Sequence, residues 1–130
     1  MSYIDRIYSI AEQLPKHEDF NLKSQIIRAA TSVALNIAEG STGQTDAEQA
    51  RFVGLALRSL VETVACQHII SQRNYLEDKT LLREVYKDAN HLAAKLQKMR
   101  IAITPQHSWV REEESAYSAD NSDGPDVTTN

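Results

Sequence analysis

The sequence predicts an all-α fold: an up-down-up-down antiparallel four-helix bundle with a disordered acidic C-terminal tail. Three observations carry that expectation. Only 4 Gly and 3 Pro punctuate 130 residues, too few for the turns of an all-β chain. Apolar residues recur at helical spacing in four segments. The connections between those segments are short, and helices joined by short connections pack as antiparallel neighbours. A hydrophobic fraction of 42% with 25% charged residues is ordinary for a globular chain, and the length suits one core. The expected division is a bundle over residues 1–104 and a tail over 105–130.

The first helical pattern runs through SYIDRIYSIAEQL. It places Tyr3 or Ile4, Ile7, Ile10 or Ala11, and Leu14 on one face, and it stops at Pro15. KHEDF is a connection. The second helix is expected to start between Asp19 and Asn21, whose side chains accept the orphan N–H groups of a first turn, and to end with Gly40 as its C-cap. Its inward face is Ile26, Ala29, Ala30, Val33, Ala34, Ile37 and Ala38. After STGQ, Thr45 and Glu48 have the spacing of a capping box that opens a third helix reaching about Arg73. That helix is apolar over a wide arc: Phe52, Val53, Ala56, Leu57, Leu60, Val61, Val64, Ala65 and Ile69. A turn over residues 74–78 leads to the fourth helix, with Leu82, Val85, Tyr86, Ala89, Leu92, Ala93, Leu96 and Met99 inward and Pro105 beyond its end.

Charge divides the chain at that proline. Residues 1–104 hold 13 Lys+Arg and 12 Asp+Glu, and residues 105–130 hold 1 and 6. The body is near neutral and the tail strongly acidic, so the overall charge of -4 says little about what the body binds. From residue 111 onward the tail has no periodic apolar residues to offset its ordering entropy and is expected to be disordered, with Trp109 and Val110 available to anchor its start.

Cys66 is the only cysteine. A single thiol in an apolar helical stretch reads as a buried, inert side chain, and a cytoplasmic location is expected. The N-terminus has no signal-peptide pattern, and no run of about 18 apolar residues that could span a bilayer is read, so neither export nor membrane insertion is expected.

The residue patterns of common enzymes are missing. Di-iron bundles use Glu-x-x-His pairs, and the sequence contains none. His17, His68, His91 and His107 share no spacing, so no metal site is expected. No Gly-rich phosphate loop is present, and Ser32 and Ser59 lie within helices, where hydroxyls bond backwards to a carbonyl. No cofactor is expected. Glu39 and Glu62 are the two carboxylates that remain as candidates for inward positions.

Two polar arrays stand out. On the second helix Gln25, Arg28, Ser32, Asn36 and Glu39 form a narrow stripe, and on the third Arg51, Arg58 and Glu62 lie close together with Ser59 at their edge. Meeting across a helix seam, Arg28 and Arg58 would balance Glu39 and Glu62 while the neutral members complete the hydrogen bonds, an arrangement that fixes register or subunit contact. On the fourth helix Lys79, Arg83, Lys87, His91, Lys95 and Lys98 drift around the outer face as a basic stripe about 30 Å long, suited to tracking phosphates. Glu84 and Asp88 share that face and offer i,i+4 partners, which leaves a plain solvated surface as the alternative.

QIIRAATSVALNIAEGS followed by ARFVGLALRSLVETVACQ resembles the four-helix-bundle family of bacterial proteins encoded in intervening sequences of 23S ribosomal RNA genes. The matching residues are Gln25, Arg28, Ala29, Ser32, Asn36 to Gly40, Phe52, Ala56, Ser59, Leu60 and Glu62. Arg58 stands where the family pattern has a small glycine, and the acidic tail lies outside the pattern. The resemblance implies a homopentamer with no known catalytic centre. It also implies a relation to the accessory variability determinant of diversity-generating retroelements, a similar bundle that associates with a reverse transcriptase and binds nucleic acid through a basic surface.

Together these readings lead to a non-enzymatic homo-oligomeric scaffold that binds RNA or DNA, or a nucleic-acid enzyme such as a reverse transcriptase. A protein-interaction module without a nucleic-acid role is the second reading. An enzyme using Glu39 and Glu62 is the third.

Overall fold

The computed structural model describes residues 1–43 and 45–103; the expectations for the acidic tail and its Trp109 anchor lie outside them. The described chain is all-helical, with four α-helices and no strand. The helices are α1 (Tyr3–Glu12), α2 (Leu22–Ser41), α3 (Asp46–Gln72) and α4 (Thr80–Ile103). Each packs on its neighbours in sequence, and α1 also packs on α4. A closed cycle of contacts between consecutive helices is what an up-down bundle makes.

The ends of α1 and α2 are set by side chains close in sequence. Ser2 Oγ accepts the Asp5 N–H at 3.1 Å while Asp5 Oδ2 accepts the Ser2 N–H at 3.3 Å, a capping box that opens α1. Pro15 then turns the chain into a single 3-10 turn, Lys16–Glu18. Asn21 occupies the N-cap of α2, as expected, but its side chain does not cap. Glu18 does so instead. Its Oε1 accepts the Leu22 N–H at 3.4 Å and the Asn21 Nδ2 at 2.9 Å, so the cap comes from the preceding turn.

Gly40 does not end α2; the helix continues through Ser41, with Thr42 as its C-cap. The glycine is buried and serves packing. A Cβ built there would lie 3.3 Å from Phe52 Cβ on α3, so its missing side chain allows α2 and α3 to come close. Thr45 opens α3 by accepting the Glu48 N–H at 3.0 Å. At the other end the chain reverses through Asn74 at φ 56, a left-handed conformation that Asn tolerates better than most residues. Asp78 Oδ1 then accepts the Thr80 N–H at 2.9 Å, which opens α4 and holds the Asp78 carboxyl below the ordinary carboxylate range.

The core is thick at one end and thin at the other. Ile7, Ile10, Leu14, Leu22, Ile26, Ile70, Leu76, Leu82 and Val85 belong to one large cluster around α1. Val33, Leu60 and Ala89 form a small middle cluster. Val53, Ala56 and Leu96 form the far one, on which no α1 residue packs.

The inward face of α3 differs from the one its apolar residues suggest. Ser59, Thr63 and Gln67 are buried, whereas Val61 and Ile69 are exposed and Ala65 faces out. Ala34 and Ala38 of α2, and Tyr86 and Met99 of α4, also lie outside the core. Apolar residues surround α3 on most sides, so their pattern cannot say which side faces inward. By the same token α3 is long and apolar enough to cross a bilayer, with an 18-residue window of mean hydropathy 1.2. The sequence expectation that no segment could span a bilayer therefore does not hold by length and composition. In the fold α3 packs against both α2 and α4.

Candidate functional site

The seam between α2 and α3 joins the neutral members of the first polar array. Ser32 Oγ and Ser59 Oγ share a hydrogen bond of 2.8 Å across it. Asn36 Nδ2 donates to the Ser32 carbonyl at 2.8 Å and to Ser32 Oγ at 3.1 Å. Thr63 Oγ1 donates to the Ser59 carbonyl at 2.9 Å, extending the same inner strip by one turn. These groups are small enough to sit between two closely approaching helices.

The charged members do not follow them. Arg28, Glu39, Arg58 and Glu62 are all exposed. Among the described residues none of the four forms an ion pair within 4 Å, so the expected balance of Arg28 and Arg58 against Glu39 and Glu62 is not made within one chain. The seam that admits Gly40 and two serine hydroxyls has no room for long charged side chains, which extend to solvent. Gln25 is also exposed and donates to Asn21 Oδ1 at 2.8 Å. Gln25, Arg28, Ser32, Asn36 and Glu62 instead line an open groove of about 810 Å³ on the outer side of the seam, with Leu35 and Ile69 among its walls. Arg58 lies in a different groove of about 500 Å³ between α3 and α4.

Of Glu39 and Glu62, the pair on which a catalytic reading rests, only Glu62 lines the groove beside the α2–α3 seam. Cys66 is buried among apolar side chains. Burial, with Glu62 adding to it, pushes its thiol upward, so little thiolate is present at neutral pH. Among the described residues no three His, Cys, Asp or Glu side chains gather to hold a metal.

The basic array on α4 divides after its first residue. Lys79 Nζ donates to the Ser71 carbonyl at 3.1 Å and to Asn74 Oδ1 at 2.9 Å. It therefore helps to close the C-terminus of α3, where a cation meets the negative end of the helix dipole. Arg83, Lys87, His91, Lys95 and Lys98 are exposed. Arg83 makes one long hydrogen bond, Nη2 to Thr80 Oγ1 at 3.4 Å.

Arg6 of α1 decides the electrostatics of this face. Its Nη1 lies 2.5 Å from Asp88 Oδ2, and its Nε lies 3.6 Å from Glu84 Oε1. The two carboxylates of α4 that offered i,i+4 neutralisation are drawn toward α1. Among the described residues, Arg83, Lys87, Lys95 and Lys98 are left without an ion pair to a carboxylate. Nothing in the local sequence of α4 signals this, because Arg6 lies more than 75 residues earlier in the chain.

The class defined by this fold and these surfaces is an all-helical bundle with small polar groups joining α2 to α3 and a row of basic residues exposed on α4. The chain belongs to the 23S rRNA-intervening sequence protein family, whose model matches residues 1–98. No curated protein matches it.

Proposed function

We propose that this chain is a non-enzymatic, homo-oligomeric scaffold, pentamer-like and built from up-down-up-down antiparallel bundles. It presents the α4 row Arg83, Lys87, His91, Lys95 and Lys98 to nucleic acid, in the cytoplasm. A nucleic-acid enzyme, such as the reverse transcriptase of a diversity-generating retroelement, is the protein partner that the family resemblance suggests. The observation that carries the reading is the pull of Arg6 on Glu84 and Asp88; among the described residues, Arg83, Lys87, Lys95 and Lys98 are left without an ion pair. Repeated around an oligomer, several weak rows act together. Support for assembly comes from Leu35, Val61 and Ile69, large apolar side chains exposed on the outer faces of α2 and α3.

The test is sedimentation velocity of the full chain, alone and with fluorescently labelled structured RNA, at low and near-physiological salt. A multi-subunit species that carries the RNA and releases it steeply with salt is expected. Lys87→Glu with Lys95→Glu should weaken binding by about tenfold or more, because each reversal replaces an attraction for phosphate by a repulsion. An oligomer that ignores RNA at both salts would overturn the nucleic-acid reading and favour a protein-interaction module, for which the groove walled by Leu35 and Ile69 is the docking face. Removing residues 105–130 takes away 6 acidic residues and 1 basic residue and is expected to tighten RNA binding.

A further inference from the structure

A third groove, of about 370 Å³, lies between the C-terminal half of α3 and the N-terminal half of α4. Its size falls in the range of small-molecule sites, roughly 300–1,000 Å³. Among the described residues it is lined by Gln67, His68, Lys79, Arg83, Tyr86 and Lys87 with Ser71 and Leu82, none of them a carboxylate. Lys79 is held by Ser71 and Asn74, so the cations available to a ligand are Arg83 and Lys87. They stand one helical turn apart, about 5–6 Å between Cβ atoms, which suits bracketing a single phosphate.

Two other features point to a ring beside that phosphate. His68 and Tyr86 meet edge to face, with centroids 5.9 Å apart at 67°, and Tyr86 is half exposed, so an aromatic surface flanks the cations. Gln67 is only 4% exposed, and its Oε1 is buried without a hydrogen-bond partner. A buried amide acceptor left unpaired costs about 1–3 kcal/mol. Rotation about the Cγ–Cδ bond, a soft torsion, turns either end of the amide to the groove. A donor and an acceptor on one planar group match the edge of a nucleobase.

We propose that this groove binds a nucleoside phosphate, with the phosphate between Arg83 and Lys87 and the base against Tyr86, within reach of the Gln67 amide. The inference builds on the proposed phosphate-tracking row, with which it shares Arg83 and Lys87, and adds recognition of a base that the row alone does not supply. The ligand chemistry is common to a free nucleotide and to the phosphorylated end of an RNA.

The experiment is an NMR titration of the ¹⁵N-labelled full chain with each of the four ribonucleoside 5′-monophosphates and, separately, with inorganic phosphate. At least one nucleotide should bind about tenfold tighter than inorganic phosphate, the order that one base–aromatic contact supplies, and should shift the Gln67 side-chain amide. Gln67→Leu, close in volume, should weaken the nucleotide about fivefold, the loss of one hydrogen bond, and leave inorganic phosphate unchanged. Tyr86→Ala, at a half-exposed position, should weaken the nucleotide alone and guards against a folding defect in the Gln67 variant. Equal affinity for nucleotide and phosphate, or nucleotide affinity unchanged in both variants, would overturn the inference.

Oligomers with 5′-phosphate and 5′-hydroxyl ends separate the sources. A preference for the phosphorylated end assigns the groove to RNA termini, and equal binding of the two ends beside nucleotide binding assigns it to free nucleotide. RNA binding with no nucleotide binding would overturn this inference and leave the scaffold reading standing. Nucleotide binding with no RNA binding would do the reverse.

Discussion

The two ends of the bundle are built from different numbers of walls. Around α1, large Ile and Leu side chains from all four helices fill one cluster. At the far end only Val53, Ala56 and Leu96 are buried together, with partly buried Ile37, Leu57, Leu92 and Ile103 around them. Helix length explains the contrast. The 10 residues of α1 span about 15 Å at 1.5 Å per residue, and the 27 of α3 about 40 Å. A short first helix can wall less than half of the longest one. Near α1, its Arg6 engages the carboxylates of α4 and a dense core forms; beyond it, Lys95, Lys98, Met99 and Ile101 face solvent. Buried apolar side chains are concentrated at the α1 end and few at the other.

The largest effect that tests this contrast is cavity formation. Ile70→Ala should cost toward the upper part of the roughly 2–5 kcal/mol range for such changes, and Leu96→Ala toward the lower part, since a thin cluster collapses more readily around the vacancy. Urea unfolding of both variants measures it. Equal costs would show that the far cluster is as tightly packed as the near one, and a Leu96→Ala cost that grows with protein concentration would show a second chain completing it.

A smaller effect belongs to the connections at the α1 end. Tyr75 Oη donates to Glu18 Oε2 at 2.7 Å, tying the turn after α1 to the turn after α3. The Tyr75 hydroxyl first of all, then Asn21 Nδ2 and the Leu22 N–H, hold the Glu18 carboxyl below its usual value of 4.5. The contribution of Glu18 to stability is therefore complete above pH 4.5 and is lost as pH falls through the lower folded-state value. Melting curves from pH 7 to pH 2.5 should show Glu18→Gln less stable than the parent at neutral pH, with the gap closing in acid. A gap independent of pH would mean that the carboxylate's charge contributes nothing to this tie.

The smallest expected change is Gly40→Ala. Alanine gains about 1 kcal/mol of helix propensity over glycine, and the new Cβ would stand 3.3 Å from Phe52 Cβ. The two effects oppose each other, so a net change within about 1 kcal/mol is expected. A loss well beyond that would show that the α2–α3 seam, unlike the thin cluster beside it, cannot relax.

Much of the fold was legible in the sequence, and less of the candidate site. The all-helical class, the Thr45 cap and the inward residues of α1 follow from local chemistry, because periodicity and capping act within a few residues; α1 itself ends at Glu12, short of Pro15. The α3 interior did not follow. Ser59, Thr63 and Gln67 face inward while Val61 and Ile69 face out, and a helix apolar on most sides carries no local mark of which side meets its neighbours. Gly40 was misread for a related reason: a glycine near a helix end looks the same whether it frees the backbone or admits a neighbouring helix.

The basic row shows where the boundary lies. The sequence by itself determined that α4 carries five Lys and Arg against two carboxylates, and that most of the basic residues fall on one outer face, since helical periodicity needs only the local chain. Only the tertiary structure decided that Arg6 engages both carboxylates, that Lys79 is held by the turn before it, and that Gln67 joins Arg83 and Lys87 around one groove. Those outcomes depend on which helices become neighbours, and neighbours are chosen by burial summed over the whole chain.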